Sequence, residues 1–521
     1  MPRLPVTSVM MPRPAIEHPD VLLGRAISAE RDGGRDAAIQ LYRRVLEIDP
    51  VNLQAINRLG ALAGENGELS AAVRQFRHSL RIDPNQSEVW FNLGIAQSRL
   101  GQSQEALASF DSVIGLTPLS VMGHLQRGAT LARLGRYQDA LAAFDEARRL
   151  APNDLLIAIH RGLALQWCGR HDQAFAEFDR AIAIKPDFAE AWVSKALLLM
   201  TLEDLPAGLP LFEWRWRMST RRASPSRAAR VAARPVWLGE PGIGGKTLLI
   251  YLEQGLGDVI QFCRYAPLAA KAGARVIVEV QPALTALMAT LPGVSQVVSE
   301  QDNLPDHDFC CPMMSLPLAF RTTVNTIPAD VPYLHADAGL ASEWSARLSG
   351  LHGRRIGLAW GAGSRLGDSE LVALEHRKTV PLNALAPLAT VAGCEFVSLQ
   401  LGPAAAQAAS PPAGMIVHDL TAEIHDFADT AALMENLDLV ISVCTSTAHL
   451  AGALGKPVWL LNRFDTDWRW FLNRGDSPWY PTMRIFRQPQ PGDWASVLRS
   501  VTEALCLFVG TGQDKTGPVR P

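Results

Sequence analysis

Two short segments of this chain combine small residues with groups able to move a proton or hold an anion. Glu253-Gln254-Gly255-Leu256-Gly257-Asp258 follows the apolar run 247–252. Val443-Cys444-Thr445-Ser446-Thr447-Ala448-His449 follows the apolar run 437–442. Gly255 and Gly257 leave backbone bare for close approach to a ligand. Asp258 then opens a helix, where a carboxylate serves either as a general base facing a cleft or as a helix cap. In the second segment the hydroxyls of Thr445 and Ser446 meet the free N–H groups of a helix start, an arrangement suited to a diphosphate. His449, one turn further on, either donates to the same phosphates or is a buried structural histidine.

Both segments need a scaffold, and the surrounding pattern supplies one. From residue 247 onward, short apolar runs alternate with helical stretches. Strands are expected at 247–252, 275–280, 296–298 and 308–311, then at 355–360, 395–399, 415–418, 437–442 and 457–461. Strands alternating with helices make parallel sheets, and two sets make two Rossmann-like domains. Ligands of such sheets bind at the carboxyl ends of the strands, where both segments fall, so a cleft between the two domains is the expected site.

The first 220 residues follow a different rule. Pro50, Pro84, Pro118, Pro152 and Pro186 lie 34 residues apart. The same period runs through Gly33, Gly67, Gly101, Gly135 and Gly169, and through Ala38, Ala72, Ala106, Ala140 and Ala174. It recurs in Tyr42, Phe76, Phe110, Phe144 and Phe178. Small residues such as Gly94 and Ala106 let two helices approach, and Phe110 fills the space between repeats. Gly101 turns the chain, and Pro118 ends the second helix. The pattern resembles the tetratricopeptide repeat, a pair of antiparallel helices whose stacking makes a surface that holds another chain. Six repeats are expected over 19–222. The sixth is degenerate, with Phe212 kept and the closing proline lost. Its Trp214 and Trp216 are expected to pack against the next domain. Residues 223–235, with Arg227, Arg230 and Arg234 following Arg221 and Arg222, read as a solvated hinge in preference to a nucleic-acid arm. The remainder divides into 236–345 and 346–510, with a tail at 511–521.

Composition narrows the function classes. A net charge of −3 gives no general attraction to nucleic acid or to an anionic membrane. The seven cysteines lack metal-ligand spacing and read as thiols in a reducing compartment. No secretory h-region and no membrane-spanning run are found, so a cytoplasmic protein is expected.

Taken together, 237–507 resembles the ADP-heptose:lipopolysaccharide heptosyltransferase group, glycosyltransferase family 9. The whole chain looks like bacterial fusions of tetratricopeptide repeats to such a domain. The resemblance rests on Glu253-Gln-Gly-Leu-Gly-Asp258-Val-Ile-Gln-Phe262, on Asp426-Phe-Ala-Asp429-Thr430-Ala-Ala432 leading to 437–442, and on His449-Leu-Ala-Gly-Ala-Leu-Gly-Lys-Pro457. It implies an all-α tetratricopeptide superhelix followed by an α/β GT-B fold of two Rossmann-like domains. It further implies an inverting, metal-independent transferase with a nucleotide-sugar donor and no other cofactor. Asp258 matches the family's catalytic base. Lys378, three residues before Pro381, matches a basic contact to donor phosphate, with Arg377 beside it. Thr445, Ser446 and His449 match the donor-diphosphate block. Cys444 stands where the family has aspartate, a departure that bears on donor binding. The implied acceptor is a polypeptide recruited by the repeats. The alternatives are a lipid-linked glycan or lipopolysaccharide acceptor, or a scaffold whose catalysis is weakened or lost.

Overall fold

The computed structural model describes residues 17–218, 234–253, 255–363 and 369–511. The hinge arginines Arg221, Arg222, Arg227 and Arg230, together with Gln254 and most of the C-terminal tail, lie outside the described residues.

Six helix pairs, from Pro19–Arg31 with Arg35–Ile48 to Ala189–Thr201 with Leu205–Phe212, run through the repeats. The recurrent residues do the work their chemistry suggests. Gly33, Gly67, Gly101, Gly135 and Gly169 all adopt φ between 74° and 82°, the left-handed turn that a side chain resists. A Cβ on Gly60, Gly94, Gly128 or Gly162 would come within 2.7 Å of the ring of Phe76, Phe110, Phe144 or Phe178 respectively, so the absent side chain is the seat for the aromatic. The residues before Pro50, Pro84 and Pro118 leave the helical region, with φ of −127° at Asp49 and −137° at Asp83 and Thr117, and this stops the helix. Trp90 and Trp192 each donate the indole N–H to the carbonyl of the proline six residues earlier, Pro84 and Pro186, at 2.8 and 2.9 Å.

The chain divides into two compact units: Met1–Leu134 with Ala142–Pro152, and Gly135–Leu141 with Asn153–Pro521. The division falls inside the repeat array, earlier than the hinge at 223–235. The reason is in the core. Val193, Ala196, Met200, Leu205, Leu209 and Phe212 of the sixth repeat are buried in one cluster with Trp237, Ile243 and Leu248 of the α/β part. The last repeat thus buries its apolar face against the following domain.

The α/β part contains two parallel sheets. The first comprises β1 (Thr247–Tyr251), β2 (Arg275–Val280), β3 (Val294–Ser299) and β4 (Phe309–Pro312), in the order β3-β2-β1-β4. The second comprises β5 (Arg354–Ala359), β6 (Cys394–Ser398), β7 (Val417–His418), β8 (Leu439–Val443), β9 (Val458–Asn462) and β10 (Met483–Arg487), in the order β10-β9-β8-β5-β6-β7. The expected strands are present. The addition is β10, where Met483, Ile485 and Phe486 are buried and Arg484 is exposed. Its alternation is short and interrupted by arginines, so it carries little signal as an apolar run.

Among the described residues, no helix is long and apolar enough to cross a membrane. None of the seven cysteines is in a disulfide.

Candidate functional site

Each sheet changes direction at one strand. In the first, β1 lies between β2 and β4. In the second, β5 lies between β6 and β8. These are the switch points outside which open α/β sheets bind ligands. The glycine loop leaves the carboxyl end of β1, and Cys444-Thr445 leaves that of β8.

The glycine loop is anchored at its first residue. Both carboxylate oxygens of Glu253 accept from Arg215, from Nη2 and Nε at 3.0 Å each, and Oε1 also accepts from the Met314 N–H at 3.0 Å. Arg215 is buried, lies over the rings of Phe212 and Trp216, and donates to Ser315 Oγ at 2.6 Å. Trp214 stacks on Trp192 of its own repeat at 5.2 Å, whereas Trp216, 42% exposed, brings its ring 6.4 Å from that of Tyr251 in β1 of the following domain. The sixth repeat therefore grips the loop that carries Asp258.

Asp258 sits in the first turn of helix Leu256–Phe262. Its Oδ2 accepts from the Gly255 N–H at 3.0 Å, so the capping role is realised. Its Oδ1 accepts from Arg469 Nη2, an ion pair that joins the helix after β1 to the segment after β9. Arg469 donates further to Gln261 Oε1 at 2.8 Å and to Asp467 Oδ1 at 2.9 Å. Burial works against the Arg469 charge, but Asp467 and Asp258 more than offset it and hold the guanidinium protonated. Burial likewise opposes charge on Asp467, yet Arg469 brings its carboxyl down to about 2.

The two loops meet. A Cβ on Gly257 would lie 3.0 Å from the His449 ring and 3.4 Å from Ser446 Cα, so glycine is what permits the approach. Ser446 opens the helix Ser446–Ala453, with Thr445 as its extended N-cap residue. Thr445 Oγ1 lies 3.3 Å from Ser442 Oγ, and neither hydroxyl of the pair caps the helix. His449 is 5% exposed. Its Nδ1 is 2.9 Å from the Tyr480 hydroxyl, and its ring stacks on Trp470 at 5.1 Å. Burial, aided by the Arg469 charge, lowers its pKa to about 3. His449 thus sits as a buried side chain whose surroundings favour the neutral ring.

Cys444 Sγ accepts from the Trp470 indole N–H at 3.1 Å, and burial pushes the thiol up. The Lys378 charge, at the end of helix Ser369–Lys378, reaches both Cys444 and His449. Arg377 pairs instead with Asp465 at 3.2 Å, and Asp465 also takes Arg463 Nη1 at 2.9 Å. The structure thus brings Asp258, Gly257, Ser446, His449 and Cys444 into one neighbourhood, with Lys378 electrostatically coupled to it. Arg377 is turned into a separate ion-pair cluster.

Sequence reasoning missed Arg469, Asp467, Trp470 and Tyr480. Arg463-Phe-Asp-Thr-Asp-Trp-Arg-Trp470 follows the apolar strand β9, and such dense alternation of charge and aromatic at a strand's carboxyl end was the available signal. Among the described residues, no cluster of three His, Cys, Asp or Glu side chains is placed to hold a metal ion.

The tetratricopeptide-repeat family matches residues 23–87 and 91–154. The N-terminal repeats are tetratricopeptide repeats. The chain is 26% identical over 351 residues to Protein FlbA of Caulobacter vibrioides, which spans 62% of this chain and 56% of that protein. Two solved structures align with about a third of the chain each. MamA does so at 22% identity and a TM-score of 0.32, covering 33% of this chain and 94% of its own. YrrB, described as a TPR protein with an unusual peptide-binding site, does so at 22% identity and a TM-score of 0.32, covering 34% and 91%.

Proposed function

We propose that the chain is an inverting glycosyltransferase of GT-B type whose tetratricopeptide repeats hold a polypeptide acceptor. The observation that carries the reading is the meeting of the two switch-point loops, with Gly257 against Ser446 and His449. A nucleotide-sugar diphosphate at the Thr445–Ser446 helix start would have the Asp258 carboxylate on the facing domain. The acceptor hydroxyl oxygen attacks the anomeric carbon as the bond from that carbon to the diphosphate oxygen breaks, inverting the centre. Asp258 takes the hydroxyl proton. Lys378, the Thr445 and Ser446 hydroxyls and the helix N–H groups stabilise the charge growing on the leaving diphosphate. His449, held by the Tyr480 hydroxyl at Nδ1 and stacked on Trp470, orders the loop and offers its other ring N–H to the same diphosphate.

A second reading has its own observation. Asp258 is engaged at both oxygens, by Gly255 and Arg469, and Cys444 replaces an acidic residue of the resembling family. A binding scaffold with a silent site would look the same. A panel of nucleotide sugars tested by thermal shift separates the two, because a ligand that binds the folded state raises the Tm by mass action. A rise with one donor supports the transferase. No rise with any donor supports the scaffold.

A further inference from the structure

The ion pair between Asp258 and Arg469 poses a chemical problem for the transferase reading, and its surroundings offer a solution. The Gly255 N–H occupies Oδ2 of Asp258 and the Arg469 guanidinium occupies Oδ1, so an acceptor hydroxyl that is to bond to Oδ1 has to take the place of the guanidinium. For Asp258 to accept a proton, Arg469 must leave it. Arg469 is well supported without Asp258. Asp467 accepts from its Nη1 at 2.9 Å, Gln261 from its Nε at 2.8 Å, and the guanidinium lies 4.8 Å from the centre of the Trp468 ring. It is also near the second loop, since its charge acts on His449 and interacts with Cys444. Arginine's planar fork suits paired phosphate oxygens at least as well as a carboxylate.

We propose that Arg469 is a two-position residue of the donor site. It rests on Asp258 when the site is empty and, when the site fills, swings its whole guanidinium about the Asp467 contact, giving up Asp258 and Gln261 for the donor diphosphate, which frees Asp258 to act as base. Donor binding and activation of the base are then one event, and an empty site keeps its base neutralised. This rests on the reading of the second loop as a diphosphate site and adds to it a residue and an order of events.

The consequence is a competition that calorimetry can read. The full chain is titrated with ADP, UDP, GDP, CDP and dTDP, as wild type, Asp258→Asn, Arg469→Gln and the double variant. Asn at 258 can still accept from the Gly255 N–H but competes weakly for a guanidinium. Asp258→Asn is expected to bind the preferred nucleotide roughly tenfold tighter than wild type, and Arg469→Gln roughly tenfold weaker, each about 1.4 kcal/mol. The double variant is decisive. Plain repulsion between Asp258 and an anion would tighten binding equally with or without Arg469, whereas competition for Arg469 tightens it only where Arg469 is present. If Arg469→Gln does not fold, Arg469→Lys replaces it, keeping the charge but not the fork, and the gain from Asp258→Asn shrinks. A gain from Asp258→Asn that survives unchanged in the Arg469 variant, or no gain at all, overturns the two-position role and leaves the diphosphate reading standing. Failure of wild type and Asp258→Asn to bind any of the five overturns both. Binding by Asp258→Asn where wild type binds none upholds both.

Discussion

The two carboxylate oxygens of Glu253 face two nitrogens of Arg215, each at 3.0 Å, and both side chains are almost fully buried. Arg215 ends the last repeat, and Glu253 opens the glycine loop. One ion pair thus ties the interaction module to the candidate site. Arg215→Ala should cost about 3–5 kcal/mol, because it leaves Glu253 buried without its partner. Replacing both by similar-sized apolar residues should cost less than the single change. Urea unfolding of the α/β part, followed by tryptophan fluorescence, checks this. Equal loss in the single and double variants would contradict it.

His449 makes acid stability testable. Its folded pKa is about 3 against an ordinary 6.5, lowered by burial, by Arg469, by Arg264 and by Lys378, with Asp467 acting in the opposite sense. The unfolded chain therefore binds a proton that the fold excludes. Stability contributed by the neutral ring is full above pH 6.5 and falls as pH drops toward 3. Between pH 7 and pH 5 the loss should be about 2 kcal/mol at 1.36 kcal/mol per unit. His449→Gln, which has no titrating ring, should lose less over the same interval. Parallel losses in the two proteins would contradict the assignment.

Cys444 accepts the Trp470 indole N–H through sulfur, a weak acceptor. An aspartate there would take the same N–H and face Lys378 and Arg463, whose charges already reach this position. Cys444→Asp should tighten nucleotide-sugar binding by about 1.5–3 kcal/mol, the size of one hydrogen bond to a charged group. Calorimetry of both proteins measures it. Binding created from nothing by the substitution would favour the scaffold reading.

Much of the fold was legible because single residues carried single constraints. Gly101 and its equivalents need a left-handed turn, and Gly94 must leave room for Phe110, so the period announced the helix pairs. The strands were legible because a parallel sheet buries both faces and so reads as an unbroken apolar run. The site was legible only in part. Asp258, Ser446 and His449 follow strands, which fixes their positions, but the partners that determine their charge arrive from far along the chain. Arg469 lies 211 residues after Asp258, and no local pattern joins them. His449 illustrates the limit: its place at a helix start was readable, while its burial under Trp470 and Tyr480 was not.

The repeats' role is tested by removing residues 1–118, the first three repeats, which leaves the buried join at Arg215 intact. Stacked repeats lose end units without loss of the rest. Donor hydrolysis should be unchanged, and modification of the natural polypeptide acceptor, followed by intact-mass spectrometry, should be lost. Undiminished modification would remove the recruiting role.

A sugar transfer through Asp258 is tested by release of nucleoside diphosphate from nucleotide sugars by the purified full chain, wild type against Asp258→Asn. Wild type should release it from one donor, and the variant should fall by about 10²–10⁴, the usual scale of a general base, with nucleotide binding retained. No release from any donor, or equal turnover in the two proteins, would contradict it.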